Sequence, residues 1–207
     1  MKEKPILFSD EMVRAILQGL KTQTRRIVKP QPIWKEFESG QNGWWRAIGG
    51  INQSVWDCPY KVGQILWVRE AWYQDKTGNV YYRSTYNGEV KPSWNYNFSA
   101  SWKPSIHMRR EISRINLEIV SVRVQRIQDI TVQDIHAEGI PYHTPYCSRG
   151  IEPSRATCSC ASYQCVYTDR PSMGRDFKTL WDKINEKRGF GWDVNPWVWC
   201  IEFKRRI

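Results

Sequence analysis

The sequence has no long apolar run. Nowhere in its 207 residues does an uncharged hydrophobic stretch approach the roughly 18 residues that a bilayer-spanning helix needs. Its opening, Met1-Lys2-Glu3-Lys4-Pro5-Ile6, holds no apolar segment of the kind a secretory signal carries, so the expected compartment is the cytoplasm and no membrane partner is expected. Internal repeats and low-complexity tracts are also missing, which argues against solenoid and disordered architectures. Acidic residues are the scarcer charge: 21 Asp+Glu stand against 31 Lys+Arg, leaving a net +10. Such a balance attracts polyanions and speeds encounter with them, although it also describes a well-solvated surface.

What is present suits one globular domain. Hydrophobic residues make up 41% and charged residues 25%, enough for a core in a single unit spanning residues 1–207. Twelve Trp, ten Tyr and six Phe are interleaved with the charge. They could fill the core or offer stacking platforms to nucleic-acid bases.

Periodicity gives a mixed α+β chain with about three helices. Ser9 caps a helix over Asp10 to Gln18, whose face is Met12, Ile16 and Leu20, with Gly19 as its stop. Thr131 opens a second, short helix with a capping-box pattern that ends at Glu138, before Gly139. A third carries Phe177, Leu180, Trp181 and Ile184 on one face. Ile65-Leu66-Trp67-Val68 reads as a buried strand, and Trp197, Trp199, Ile201 and Phe203 as one face of the last strand. Ile115, Leu117 and Ile119 alternate before the apolar phase flips to Val120, Val122 and Val124, which predicts a bulge in one long strand. Residues 31–59 read as a long, poorly regular connection, and 73–101 as aromatic hairpins with Asn87-Gly88 as a turn. A Cys-containing loop insertion occupies 141–174. Many short strands with few helices predict a small, mixed β-barrel.

The sharpest chemical signal follows the first helix. Gly19-Leu20-Lys21-Thr22-Gln23-Thr24-Arg25-Arg26 packs a lysine, two hydroxyls and two arginines into one short stretch. A threonine hydroxyl attacks only when a neighbouring base takes its proton. Lysine serves as that base once its pKa falls below its usual value of about 10.4, and two nearby arginines push it that way. The same stretch is equally readable as a solvated basic helix end. In a regular strand Lys21 and Thr24 would point to opposite faces, so joint work by the two needs a kink between them. Glu138 lies at the negative end of its helix, where a carboxylate is unfavourable. Residues that break a local rule are often functional, though a frayed, exposed end is the other reading. His107 and His136 are available for chemistry or for satisfied structural positions.

Six cysteines fall into two groups. Cys58 and Cys200 are isolated and read as buried thiols. Cys147, Cys158, Cys160 and Cys165 cluster in the insertion. In a cytoplasmic protein such a cluster points to structural zinc, with His143 an alternative ligand, or else to reduced free thiols.

Several stretches together resemble one family. Pro5-Ile6-Leu7-Phe8, then Gln18-Gly19-Leu20-Lys21-Thr22-Gln23-Thr24-Arg25-Arg26, is similar to the opening of ASCH-domain proteins of the PUA-like superfamily. Gly63-Gln64-Ile65-Leu66-Trp67-Val68-Arg69-Glu70, Pro104-Ser105-Ile106-His107-Met108 and Asn195-Pro196-Trp197-Val198-Trp199 resemble its long, phage- and prophage-type members. Arg109 and Glu111 depart from that pattern. The resemblance implies a compact PUA-like β-barrel with a cleft for RNA or a modified base. A short bacterial member is an N4-acetylcytidine amidohydrolase, and its Lys, Thr and Glu fall on Lys21, Thr24 and Glu138. It implies Thr24 as nucleophile, Lys21 as base and Glu138 as orienting or proton-relay group. It also implies Thr22, Arg25, Arg26, Arg69, Glu70 and His107 as binding residues for a modified nucleoside or single-stranded nucleic acid. The expected function is hydrolysis of an N4-acyl amide on cytosine. The alternatives are a non-catalytic RNA- or DNA-binding module in the same cleft, or a ribonuclease.

Overall fold

The computed structural model describes residues 3–32, 36–39, 44–48, 55–86, 102–140 and 169–206. In chain order these form β1 (Lys4–Leu7), α1 (Asp10–Leu17), β2 (Gln23–Ile27), β3 (Glu36–Ser39), β4 (Trp44–Ile48), β5 (Val55–Asp57), β6 (Ile65–Arg69), β7 (Trp72–Gln74), β8 (Val80–Tyr82), β9 (Asn116–Arg126), α2 (Val132–Ala137), α3 (Asp169–Asn185) and β10 (Trp197–Arg206). The architecture is mixed α+β. No helix among the described residues is long and apolar enough to cross a membrane.

The frame is a five-stranded sheet in the order β1-β6-β9-β10-β2, parallel only between β1 and β6. This corrects the expected barrel: among the described residues the ladder stays open between β1 and β2. The physical reason is visible at the gap. The Leu7 carbonyl of β1, which a closed ladder would offer to a backbone N–H, instead accepts the Arg26 side chain of β2 (Nη2 to O, 2.9 Å). A side chain bridges the two edges in place of a strand pair.

Period-2 alternation divides the sheet's side chains. One face joins Phe8, Val13 and Ile16 from the first helical unit to Leu66, Val68, Leu117, Ile119, Trp199, Ile201 and Phe203. The other carries Val198 against Ile127, Ile135, Phe177 and Trp181 beneath α2 and α3. The expected bulge exists. Glu202 pairs with Ser121 but Phe203 with Ile119, so Val120 is the unpaired extra residue. Because of it, Leu117 and Ile119 before the bulge and Val122 and Val124 after it contribute to the same core.

The helices start where their caps dictate. Ser9 Oγ accepts from Met12 N at 3.4 Å. Thr131 Oγ1 accepts from Asp134 N while Asp134 Oδ2 accepts from Thr131 N, both at 3.1 Å, closing a capping box worth about 1 kcal/mol. In α3, Phe177 and Trp181 are buried, whereas Ile184 is exposed and Asn185 takes the buried position instead. The stretch expected to be an irregular connection holds an antiparallel β3-β4-β5 sheet. Its Gly and Asn residues separate strands rather than abolish them. The β7-β8 hairpin turns through Asp75–Asn79, while Asn87-Gly88 lies outside the described residues.

Candidate functional site

The C-terminal ends of α1 and α2 converge on Lys21. Its backbone N–H donates to Ala15 O (3.1 Å), and the next N–H, from Thr22, donates to Ala137 O (2.9 Å). Lys21 forms an isolated bridge with Glu138, and regular β2 begins only at Gln23. The chain is therefore out of regular strand between Lys21 and Gln23. Gly139 permits it: with φ of +88°, it lies so close that a Cβ there would meet Ala15 Cβ at 2.9 Å and Lys21 Cβ at 3.0 Å.

Lys21 is buried, with 2% of its surface exposed, and its ammonium uses all three donors. It donates to Gln23 O (2.8 Å), Glu138 O (2.9 Å) and Glu138 Oε2 (2.7 Å). A cation belongs at the end of a helix, which explains half of the arrangement. The other half concerns Glu138, whose misplacement at that same end is offset by two cations. Its Oε2 takes Lys21, and its Oε1 accepts from Arg25 Nη1 at 2.9 Å. Burial drives the Lys21 pKa down from its usual value; the Glu138 carboxylate opposes this, while Arg26 and Arg25 reinforce it.

The network continues along the face beneath α2. Arg25 Nη1 also donates to Gln23 Oε1 (2.6 Å), and Arg25 Nη2 lies 3.1 Å from Asp134 Oδ2. Arg123 Nη2 donates to Asp134 Oδ1 (2.6 Å), and Arg123 Nη1 to Glu202 Oε1. Gln23 Nε2 links Asp134 Oδ1 to Glu202 Oε1. Signs therefore alternate along the row Lys21, Glu138, Arg25, Asp134, Arg123, Glu202. Phe177 of α3 covers Arg25, its ring 5.9 Å from the guanidinium carbon. Burial raises the Asp134 carboxyl, but the Thr131 N–H, Arg25, Gln23 and Arg123 outweigh it and hold the pKa low. Beside them, burial pushes the Cys200 thiol up to about 12, against the pull of Arg25 and Arg123.

Thr24 is also buried, on β2 opposite Ile201. Alternation turns it away from Gln23 and Arg25, toward the core that holds Phe8 and Trp199. Lys21 reaches this side as well, its Nζ 5.6 Å from the centre of the Phe8 ring, and the Arg26 guanidinium lies 5.4 Å from it. Phe8 in turn lines a cavity of about 270 Å³ with Ser9, Asp10, Ala71, Arg83, Trp102, Pro104 and Ser105. Across its rim Arg83 pairs with Asp10 at 2.5 Å.

The expected binding residues divide sharply. Thr22 and His107 are exposed. Arg25 is not available to a polyanion, because its side chain is 1% exposed and committed to Glu138. Arg26 spends one donor on Leu7 O, and Arg69 Nε donates to Met108 O (3.0 Å). Glu70 belongs to a separate buried cluster, where Arg114 grips both its oxygens at 2.9 Å and Ser84 Oγ donates to Oε2. The sequence reading missed Gln23, Arg123, Asp134 and Glu202 as members of the network. A signal was there: Asp134 and Glu138 stand four apart, on one face of α2.

Cys58 and Cys200 are buried, as expected. Cys147, Cys158, Cys160 and Cys165 lie outside the described residues, as does His143. Among the described residues no cluster of His, Cys, Asp and Glu is placed to hold a metal ion. Comparison with family models, curated proteins and solved structures finds no match to this chain.

Proposed function

We propose that the chain is an ASCH-type, PUA-like protein that hydrolyses the N4-acyl amide of a modified cytosine nucleoside or base. The observation that carries this reading is the buried Lys21–Glu138 contact of 2.7 Å, formed between residues 117 positions apart. A lysine whose ammonium is desolvated and flanked by two arginines is the kind that sheds its proton to become a base.

Neutral Lys21 has two N–H bonds and a lone pair. One of its three present acceptors is then released, and the lone pair is free to take the Thr24 proton. Thr24 Oγ attacks the acyl carbonyl carbon, and its proton passes to Lys21 Nζ. The C–N bond breaks, the cytosine amine leaves with the proton from Lys21, and an acyl-threonine ester remains. Water, deprotonated by the same lysine, then cleaves the ester and restores Thr24. Glu138 holds Lys21 in place and stabilises its charged form between the two proton transfers. Substrate approaches from the cavity past Phe8, with Trp102 available for stacking against the base.

The test is a time course of N4-acetylcytidine and larger acyl analogues, followed by the absorbance of released cytidine. Wild-type protein turns over at least one of them. Thr24→Ala and Lys21→Ala each lose at least about a hundredfold in rate. Absence of wild-type turnover, or undiminished turnover by Thr24→Ala, overturns the reading. A non-catalytic binder would then remain, recognisable by nucleic-acid affinity that falls steeply with salt.

A further inference from the structure

We propose that Arg25 is a positioning residue that acts through Glu138 on Lys21, with Asp134 and Gln23 holding it in place. This rests on Lys21 being the working base of the proposed reaction. The geometry is that of a clamp. Arg25 Nη1 occupies Glu138 Oε1 at 2.9 Å, so the carboxylate presents only Oε2 to Lys21. The clamp is held from three sides: Gln23 Oε1 accepts from the same nitrogen at 2.6 Å, Asp134 Oδ2 lies 3.1 Å from Nη2, and the Phe177 ring covers the guanidinium.

Two observations separate this role from those an arginine here would otherwise have. The side chain is 1% exposed, which rules out contact with a phosphate or a substrate in this state. Its hydrogen bonding is also incomplete. Among the described residues the buried Nε and Nη2 have no hydrogen-bond acceptor, since the Asp134 contact is close enough for an ion pair but poorly aligned. An arginine kept only to satisfy polar neighbours would leave fewer donors unpaired, because each buried orphan costs about 1–3 kcal/mol. What Arg25 supplies in full is a fixed positive charge on the far side of Glu138.

The charged groups facing Lys21 are Glu138 from α2, and Arg25 and Arg26 from β2; Phe8 contributes only its ring. Asp134 faces Arg25 and reaches Lys21 only through it. The two ends of the clamp therefore act on Lys21 with opposite signs. Loss of the Arg25 charge strengthens the hold of Glu138 on the ammonium and favours protonated Lys21. Loss of the Asp134 charge leaves Arg25 less neutralised and favours neutral Lys21.

The experiment is an NMR titration of the Lys21 side chain in the full chain labelled at lysine, with no substrate required. Arg25→Gln raises the Lys21 midpoint by at least about half a pH unit, and Asp134→Asn lowers it by a few tenths. Arg25→Lys restores the midpoint toward wild type. A residue with a merely structural role would change thermal stability without this pair of opposite shifts. The proposal is overturned if the Lys21 midpoint is unmoved in folded Arg25→Gln, or if both variants move it the same way. Should Arg25→Gln not fold, an unmoved midpoint in Asp134→Asn is the overturning result. Opposite shifts in the two variants together with no turnover by the wild type would sink the amidohydrolase reading and leave the electrostatic clamp standing.

Discussion

On β10, Trp197, Trp199, Ile201 and Phe203 turn toward the core that includes α1, while Val198, Cys200 and Glu202 turn toward α2 and α3. The two faces differ in what an error costs. On the apolar side each side chain contributes area and volume, and neighbours partly relax around a loss. On the polar side each charge of the row faces its opposite, and Lys21, Arg25 and Glu138 are buried together. Removing one partner does not subtract an interaction so much as strand the charge beside it. The same strands thus support one face that degrades gradually and another that fails as a unit.

The largest expected effect is therefore on the polar face. Glu138→Ala leaves Lys21 and Arg25 without their shared carboxylate, and should cost about 3–5 kcal/mol by chemical denaturation. It should also push Lys21 further toward neutrality, since the carboxylate that raises its pKa is gone. Leu117→Ala, fully buried on the apolar face, should cost about 2–5 kcal/mol but leave the Lys21 titration where it is. If Leu117→Ala moves that titration as far as Glu138→Ala does, the faces are not independent.

A smaller effect tests how tightly the faces meet. Gly139→Ala places a methyl group 2.9 Å from Ala15 Cβ and 3.0 Å from Lys21 Cβ at a positive φ. Overpacking of this kind typically costs about 1–3 kcal/mol. Thermal melting would measure the loss, and a variant as stable as wild type would show that the α1–α2 junction is slack. The smallest effect is in acid. Asp134 and Glu202 both have folded-state pKa values held below the usual range, for Asp134 against burial by the Thr131 N–H and its ion pairs, for Glu202 against burial by Ser121, Arg123 and Gln23. Groups depressed in this way stabilise the fold above their ordinary pKa, about 4, and lose that contribution as pH falls through the lower folded value. Wild-type stability should thus decline below about pH 4, and Asp134→Asn should decline less. Equal acid sensitivity of the two would remove Asp134 from the account.

Local rules made much of this fold legible. The Ser9 and Thr131 caps, the β10 alternation and the bulge in β9 all follow from short-range patterns, although Val120, expected on the apolar face with Val122 and Val124, is itself the exposed, unpaired residue. The open edge between β1 and β2 was not legible. It depends on one long side chain, Arg26, reaching an acceptor 19 residues away. The β3-β4-β5 sheet was hidden because Gly and Asn outweighed aromatic alternation in a window that held both. In the site, Lys21 and Glu138 were readable as a pair only through the resemblance, and their contact spans 117 positions. Arg25 was misjudged because sequence shows charge but not burial. Its partner Asp134 was legible as a cap, and its second oxygen, which completes the row, was not.

The single unpaired residue at Val120 acts like a frameshift written into the strand. Upstream of it, odd positions of β9 belong to the greasy side; downstream, the odd positions Ser121, Arg123 and Gln125 are handed to α2 instead. Were Val120 paired regularly with Glu202 instead of bulging out, Arg123 would be read in the wrong frame, aimed at Trp199 and Ile201, while Val122 and Val124 would arrive where Asp134 and Glu202 wait for a cation. Deleting Val120 would join Ile119 to Ser121 in unbroken alternation and keep Arg123 on the side of α2, so the bulge itself, rather than the length of the strand, reconciles the two frames.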